Sequence, residues 1–252
     1  MINSHIILPK FLLKNFEIGN IFWYYDIDGS FIARGNASSF NTEKGYYSDK
    51  TEEILNYSVE TPFSNLLNNY LDSIFHVDEF EISPSDIGLI KRFFYSLLCR
   101  NPYMVKQVND HSVFFQFLPG VDQHGYAAIT GIQEGEKTDL FKEYEVAFYI
   151  NLTETPFVLP NCGIYSLIIR SAQSIVFPAS PRCLFALEKN QSLRKENVIE
   201  LQRGAITEDI VVRRMNMQAL KQQVSLNSGG RIICSQRKEL ERLKEECLTG
   251  CQ

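Results

Sequence analysis

Glu145-Val-Ala-Phe-Tyr-Ile-Asn151, Phe157-Val-Leu159, Tyr165-Ser-Leu-Ile-Ile169, Ser174-Ile-Val-Phe177 and Cys183-Leu-Phe-Ala-Leu187 follow one another within a single stretch of chain. Each run is short and rich in β-branched or aromatic residues. Pro156, Pro160, Gly163, Pro178 and Pro181 separate or terminate them. Such runs read as strands, because proline cannot donate to a ladder and glycine supplies turn geometry. Val113 to Leu118, ahead of Pro119-Gly120, has the same character.

Outside this centre the periodicity changes. Ile54, Val59, Phe63, Leu66, Leu67, Tyr70, Leu71 and Ile74 recur mostly at threes and fours, which predicts a helix from Lys50. Ser48 or Asp49 suits its cap, and Pro62 should kink it or split it. A second helix is predicted from Ile87 to Val108. Ser83 is its cap, Pro84 lies in its first turn and Asp86 complements its positive end. Pro102 should bend it just after Arg100-Asn101. Ile21 to Tyr25 and Phe31 to Ala33 flank Asp26-Ile-Asp-Gly-Ser30, a hairpin whose Asp28-Gly29 should supply the positive φ angles. Downstream, a helix from about Ala205 to Val224 precedes a Gly229-Gly230 break, a short strand Arg231 to Cys234 and a polar helix. Helices set between strands without regular alternation predict an α+β fold, with a central mixed or antiparallel sheet, an N-terminal β-hairpin and C-terminal helices. The chain reads as one domain over 1–252: an N-terminal segment with the hairpin (1–48), a helical part (49–110), a strand-rich part (111–204) and a helical C-terminal part (205–252).

The chain has 252 residues, 25 Lys+Arg, 30 Asp+Glu and a formal charge of -5. That balance argues against a dedicated nucleic-acid coat, which needs a cationic excess. The opening lacks the basic start and long apolar centre of a signal peptide, and charges break every apolar run short of a bilayer span. The expected location is the cytoplasm, with no membrane partner. Six scattered cysteines without a CxxC pair read as reduced thiols. Glycine-rich phosphate loops, the G-x-S-x-G elbow, H-E-x-x-H and Asp/Glu-x-Lys are all missing. Asp26-x-Asp28-Gly29 begins like a calcium loop, but position 37 is Ala where the bidentate Glu belongs. Any chemistry must come from residues gathered by folding.

Three segments carry a family resemblance. His5-Ile-Ile-Leu-Pro9 runs through Phe11-Leu-Leu13 to Phe16, and later Tyr46-Tyr47-Ser48 precedes the helix with Val59-Glu60. Phe93 to Arg100-Asn101-Pro102 is the second segment, and Leu152-Thr153-Glu154-Thr155-Pro156 the third; Asn216-x-Gln218-Ala219 and Arg231-Ile-Ile-Cys-Ser235 complete the pattern. Together they resemble domain-of-unknown-function family 4238 of bacteria and their mobile elements, whose members open His-Tyr-Val-Pro and carry Phe-Tyr-Ser, Arg-x-Pro and Thr-Ser-Asp-Asn-Pro. Ile6 replaces the usual Tyr, and Thr153-Glu154-Thr155 replaces Ser-Asp-Asn, keeping a hydroxyl and a carboxylate but not the amide. Family members have been proposed as anti-phage defence genes.

The resemblance implies a catalytic set of His5, Glu60, Arg100 and Glu154, with Thr153, Thr155 and Asn216 as binding residues. It implies a bacterial or phage-borne antiviral or toxin-like effector. A His, two carboxylates and an Arg suit attack on a phosphodiester or nucleotide, and a divalent cation would assist; the metal ligands are unknown. Each residue also has a plain structural reading. His5 can pin the N-terminus, Arg100 can pair internally with Glu60 or Glu154, and Thr153 to Pro156 can be an ordinary turn. The alternative function is a binding module for a phage or host protein. The expected partners are accordingly nucleic acid, a nucleotide or such a protein.

Overall fold

The computed structural model describes residues 3–74, 83–101, 122–169, 172–189, 202–226 and 230–249. In chain order these form β1 (Asn3–His5), α1 (Lys10–Lys14), β2 (Phe22–Asp26), β3 (Phe31–Gly35), β4 (Thr42–Lys44), α2 (Asp49–Leu55), a π-helical segment (Asn56–Glu60), α3 (Thr61–Ile74), α4 (Pro84–Cys99) and α5 (Gln123–Thr138). Then come β5 (Tyr144–Asn151), β6 (Leu159–Pro160), β7 (Tyr165–Ile169), β8 (Ala172–Ser180), β9 (Cys183–Lys189), β10 (Gln202–Ile206), α6 (Asp209–Ser225), β11 (Arg231–Cys234) and α7 (Arg237–Thr249). The fold is α+β, as the sequence predicts. The expected strand Val113 to Leu118, the continuation of α4 to Val108 with its bend at Pro102, and Cys251 lie outside the described residues.

The central runs form a five-stranded sheet in the order β10-β5-β9-β8-β7, antiparallel except for the parallel pair β10-β5. Successive side chains of a strand point to opposite faces, and here both faces are covered. Val146, Phe148 and Ile150 of β5 join a core with α1, α3, α4 and α5, whereas Ala147 and Tyr149 join a core with α6, α7 and β11. This explains why the strands read as continuous apolar runs. A second, four-stranded sheet, β3-β2-β11-β6, and a two-stranded sheet, β1-β4, complete the architecture.

Several local expectations are corrected. The hairpin turn takes its positive φ at Ser30 (φ 51), not at Asp28-Gly29, and Asp26 Oδ1 accepts the Gly29 N–H at 2.9 Å. The helix expected from Ala205 starts at Asp209, because Gln202–Ile206 pairs with β5 as an edge strand. The helix around Pro62 is divided, as expected, into α2, the π segment and α3, although the helical stretch runs on without a gap. The ring leaves the Ser58 carbonyl without its i+4 donor, and Arg92 Nη1 supplies one at 3.3 Å. One turn absorbs the misfit as a π segment, in which the Thr61 N–H reaches back five residues to the Asn56 carbonyl.

Helix α5 is not foreseen by sequence, since Gly125, Gly131 and Gly135 depress its propensity. Close packing explains them. A Cβ at Gly131 would stand 2.4 Å from Cys99 Sγ, and one at Gly125 would stand 2.2 Å from Thr51 Oγ1. The glycines let α5 lie against α4 and α2.

Aromatic rings bind α3 and α4 to the sheet. Phe63 and Phe93 stack at 3.9 Å, Phe93 meets Phe177 at 5.2 Å, and Phe177 stacks on Phe185 at 5.2 Å. Phe63→Ala should therefore lower unfolding free energy by about 3–5 kcal/mol in a denaturant titration. Ile168→Ala, at a residue 81% exposed, should change it by less than about 0.5 kcal/mol.

Candidate functional site

The first sheet, β1-β4, sets His5 opposite Thr42 and Ser4 opposite Glu43. The chain then turns at Gly45 (φ 75) into Tyr46-Tyr47-Ser48. Ser48 caps α2, its hydroxyl accepting the Thr51 N–H. The cap places Glu52 in the first turn of α2, and the π segment ends on Glu60. On the neighbouring helix, the Ser83 capping box starts α4 and Arg100 caps its C-terminal end. Four pieces of chain thus deliver polar side chains to one place.

Arg100 is its centre. It is 1% exposed, and its Nη2 donates to Glu60 Oε1 at 2.5 Å. Burial opposes the guanidinium charge, but Glu60, Tyr47 and Glu52 together outweigh it and raise the Arg100 pKa above its ordinary value. The guanidinium lies 5.9 Å from the Tyr47 ring centre. Tyr47 in turn donates its hydroxyl to the Ile6 carbonyl (3.2 Å) and its N–H to Ser4 Oγ (3.3 Å). Burial holds the Tyr47 phenol neutral, well above its ordinary pKa.

His5 and Glu52 are shifted in opposite directions. Burial lowers the His5 pKa, Lys10 and Arg100 add to this, and the Glu60 carboxylate and a hydrogen bond to the Phe40 backbone oppose it. The imidazole is therefore neutral at pH 7. Burial raises the Glu52 pKa, as do the charges of Glu60 and Asp122, against the Ser4 hydrogen bond and Arg100. His5 Nδ1 and Arg100 Nε are buried and find no hydrogen-bond partner among the described residues. One is a lone pair when the other ring nitrogen holds the proton, and the other is an N–H. Buried polar atoms left this way need a function or a ligand.

Asp122 closes the flank. Its Oδ2 accepts the Ser48 N–H (2.6 Å) and the Thr51 hydroxyl (2.7 Å), and its Oδ1 accepts the Gly125 N–H (2.7 Å). Although burial opposes its charge, these bonds hold its carboxyl below the ordinary value. His124, in the first turn of α5, stacks on Tyr46 at 4.4 Å.

His5, Glu60 and Arg100 are brought together; the remaining sequence candidates are elsewhere. Glu154 is exposed on the turn after β5. Thr153 donates its hydroxyl to Asn151 Oδ1 at 2.8 Å, the Thr153 carbonyl accepts from Arg182, and the Thr155 N–H bonds Asp209 Oδ1 at 3.1 Å. Asn216 accepts the Val158 N–H (3.1 Å) and donates to the Pro156 carbonyl (2.9 Å) and Glu239 (2.7 Å). These partners fasten the turn to α6 and α7, and none belongs to the Arg100 cluster. Sequence reasoning does not single out Ser4 or Glu52, and it quotes Tyr47 in a family motif without placing it in the site. The available signal was their adjacency to His5 and to the helix cap.

Among the described residues no group of three or more His, Cys, Asp or Glu is arranged to hold a metal ion. Burial pushes the Cys99 and Cys183 thiols up to about 11 and those of Cys162 and Cys234 to about 12, so none is a ready thiolate nucleophile. No described helix is long and apolar enough to cross a membrane.

This is an α+β protein whose polar site is assembled from its N-terminal strand, a π-distorted helix and the end of a second helix. The chain belongs to the family described as Protein of unknown function (DUF4238), whose model matches residues 3–223, a span that includes every residue of the cluster. No curated protein and no solved structure matches it.

The field around His5 can be measured. Its ordinary value is 6.5, and the fold lowers it. The folded protein therefore binds fewer protons than the unfolded chain below that pH, so stability is greatest above about 6.5 and falls as pH drops toward the folded value. An NMR titration should place the His5 midpoint below 6.5. Glu60→Gln should lower it further, by removing the carboxylate that favours the imidazolium; a midpoint that stays put would contradict the cluster.

Proposed function

We propose that the protein is a cytoplasmic hydrolase of a phosphodiester or nucleotide, acting as an antiviral or toxin-like effector. The observation that carries this reading is a buried arginine, anchored by Glu60, in one cluster with a neutral histidine. Arginine is the side chain suited to phosphate, since its guanidinium keeps its charge when desolvated and presents a planar fork of donors. Nη2 donates to Glu60, and the buried Nε–H, which has no partner among the described residues, is a donor for a phosphoryl oxygen. His5, neutral with a free lone pair, is the base that takes a proton from water. Glu60 holds the guanidinium and does not itself attack. The effector role follows what the sequence resemblance implies, that family members serve in phage defence.

Thr153, Thr155 and Asn216 have no part in this mechanism, because they bond Asp209 of α6 and Glu239 of α7, and Glu154 lies exposed on the turn after β5. A second reading keeps the fold and drops the chemistry. Tyr57, 84% exposed on the π segment beside Glu60, would then belong to a surface that binds a phage or host protein.

His5→Ala removes the base without emptying a fully buried position, and Arg100→Lys keeps the charge but loses the planar fork. Both should remain folded by thermal melt, lose about 100-fold or more of hydrolytic turnover on nucleic acid or nucleotide, and lose protection or toxicity in cells. Folded variants with full activity would leave only the binding reading.

A further inference from the structure

Glu52 and Glu60 sit eight residues apart on one continuous helical stretch. In an unbroken α-helix, eight residues overshoot two turns by about 80°, which would turn the two carboxylates away from each other. The π segment between them is wound more widely, through the Thr61-to-Asn56 hydrogen bond, and takes up that overshoot. Both carboxylates consequently act on the same guanidinium, that of Arg100.

Their surroundings nevertheless differ. Glu60 receives the Arg100 N–H directly at 2.5 Å. Glu52 bonds the Ser4 hydroxyl and faces two other carboxylates, Glu60 on its own helical stretch and Asp122 at the start of α5, with Arg100 of α4 as the opposing cation. Tyr47, the remaining titratable neighbour, is a neutral phenol. Glu60 is thus bonded to the guanidinium, while burial, with the charges of Glu60 and Asp122, raises the Glu52 pKa above its ordinary value.

We infer that Glu52 is the proton donor to the leaving group, and that the substrate is a phosphodiester whose leaving group is a sugar alkoxide. This rests on the hydrolase reading and divides its two substrate classes. An alkoxide is strongly basic and must be protonated as it departs. The terminal phosphate of a nucleotide leaves from a phosphate oxygen, whose second pKa is about 6, and needs no such donor. In the reaction, His5 takes a proton from water as the water oxygen bonds phosphorus. The bond from phosphorus to the sugar oxygen breaks, and that oxygen takes the Glu52 proton. The imidazolium and the Glu52 carboxylate then exchange a proton through solvent, so water is added across one P–O bond and both groups are restored.

The leaving group provides the test. Purified full-length protein is assayed on a single-stranded oligonucleotide, on bis-p-nitrophenyl phosphate, whose weakly basic phenolate needs no acid, and on ATP. Wild-type protein should cleave both diesters and release no phosphate from ATP. Glu52→Gln should slow oligonucleotide cleavage about 100-fold or more while slowing the nitrophenyl diester less than about tenfold. Ser4→Ala, which removes a bond favouring the Glu52 carboxylate, should move the high-pH fall of oligonucleotide cleavage to higher pH, and it serves if Glu52→Gln does not fold. Equal losses on both diesters, or an unmoved pH profile in Ser4→Ala, would overturn the assignment of Glu52. Hydrolysis of ATP with an intact oligonucleotide would overturn the substrate class but leave the hydrolase reading standing. Activity on none of the three would overturn both.

Discussion

A guanidinium fully enclosed by protein is tolerable only beside an anion, since an isolated buried charge is costly to desolvate. Arg100 meets that requirement through Glu60, and much of the N-terminal half can be understood as the means of bringing the two together. The capping box at Ser83 fixes where α4 begins and so where it ends, on Arg100. The Ser48 cap fixes the register of the opposing helix. Between them the aromatic stack of Phe63 and Phe93 holds α3 against α4, so the charged pair sits at the end of an apolar seam. Pairs of this kind stabilise a fold less than apolar side chains of the same volume would. Retaining one here makes sense if the cation has other work.

Two irregularities serve the same end. The π turn corrects the helical phase so that Glu52 and Glu60 share one cation, and Pro62 with Arg92 makes that turn stable. The glycines of α5 bring its N-terminus against α2, so that Asp122 bonds the Ser48 N–H and the Thr51 hydroxyl. Asp122 then adds negative potential near Glu52. Both features look unfavourable when only helix propensity is considered; packing accounts for them.

The fold class and most of the strands were legible because the central sheet is buried on both faces, which leaves unbroken apolar runs such as Val146 to Ile150. The caps at Ser48 and Ser83 were legible from local side-chain chemistry. Helix α5 was not, because its glycines answer to Cys99 and Thr51, neighbours that periodicity cannot reveal. Strand β10 was not, because its pairing with β5 spans more than fifty residues of intervening chain. At the site, family motifs located His5, Glu60 and Arg100 but also drew in the exposed Glu154 and Asn216, whose side chain ties a turn to α6 and α7. Glu52 and Ser4 escaped notice because their importance lies in what surrounds them, and a sequence does not display an environment.

Strand β11 (Arg231–Cys234) lies between β2 and β6, paired with residues near the opposite end of the chain. While the polypeptide is being made, the β2-β3 hairpin therefore waits with one edge open until nearly all of the sequence has emerged. Closing so long a loop is slow, and an unpaired strand edge is a template for the wrong partner. During that interval the open edge of β2 is exposed to wrong partners, and a chaperone that shields the hairpin would lower that hazard.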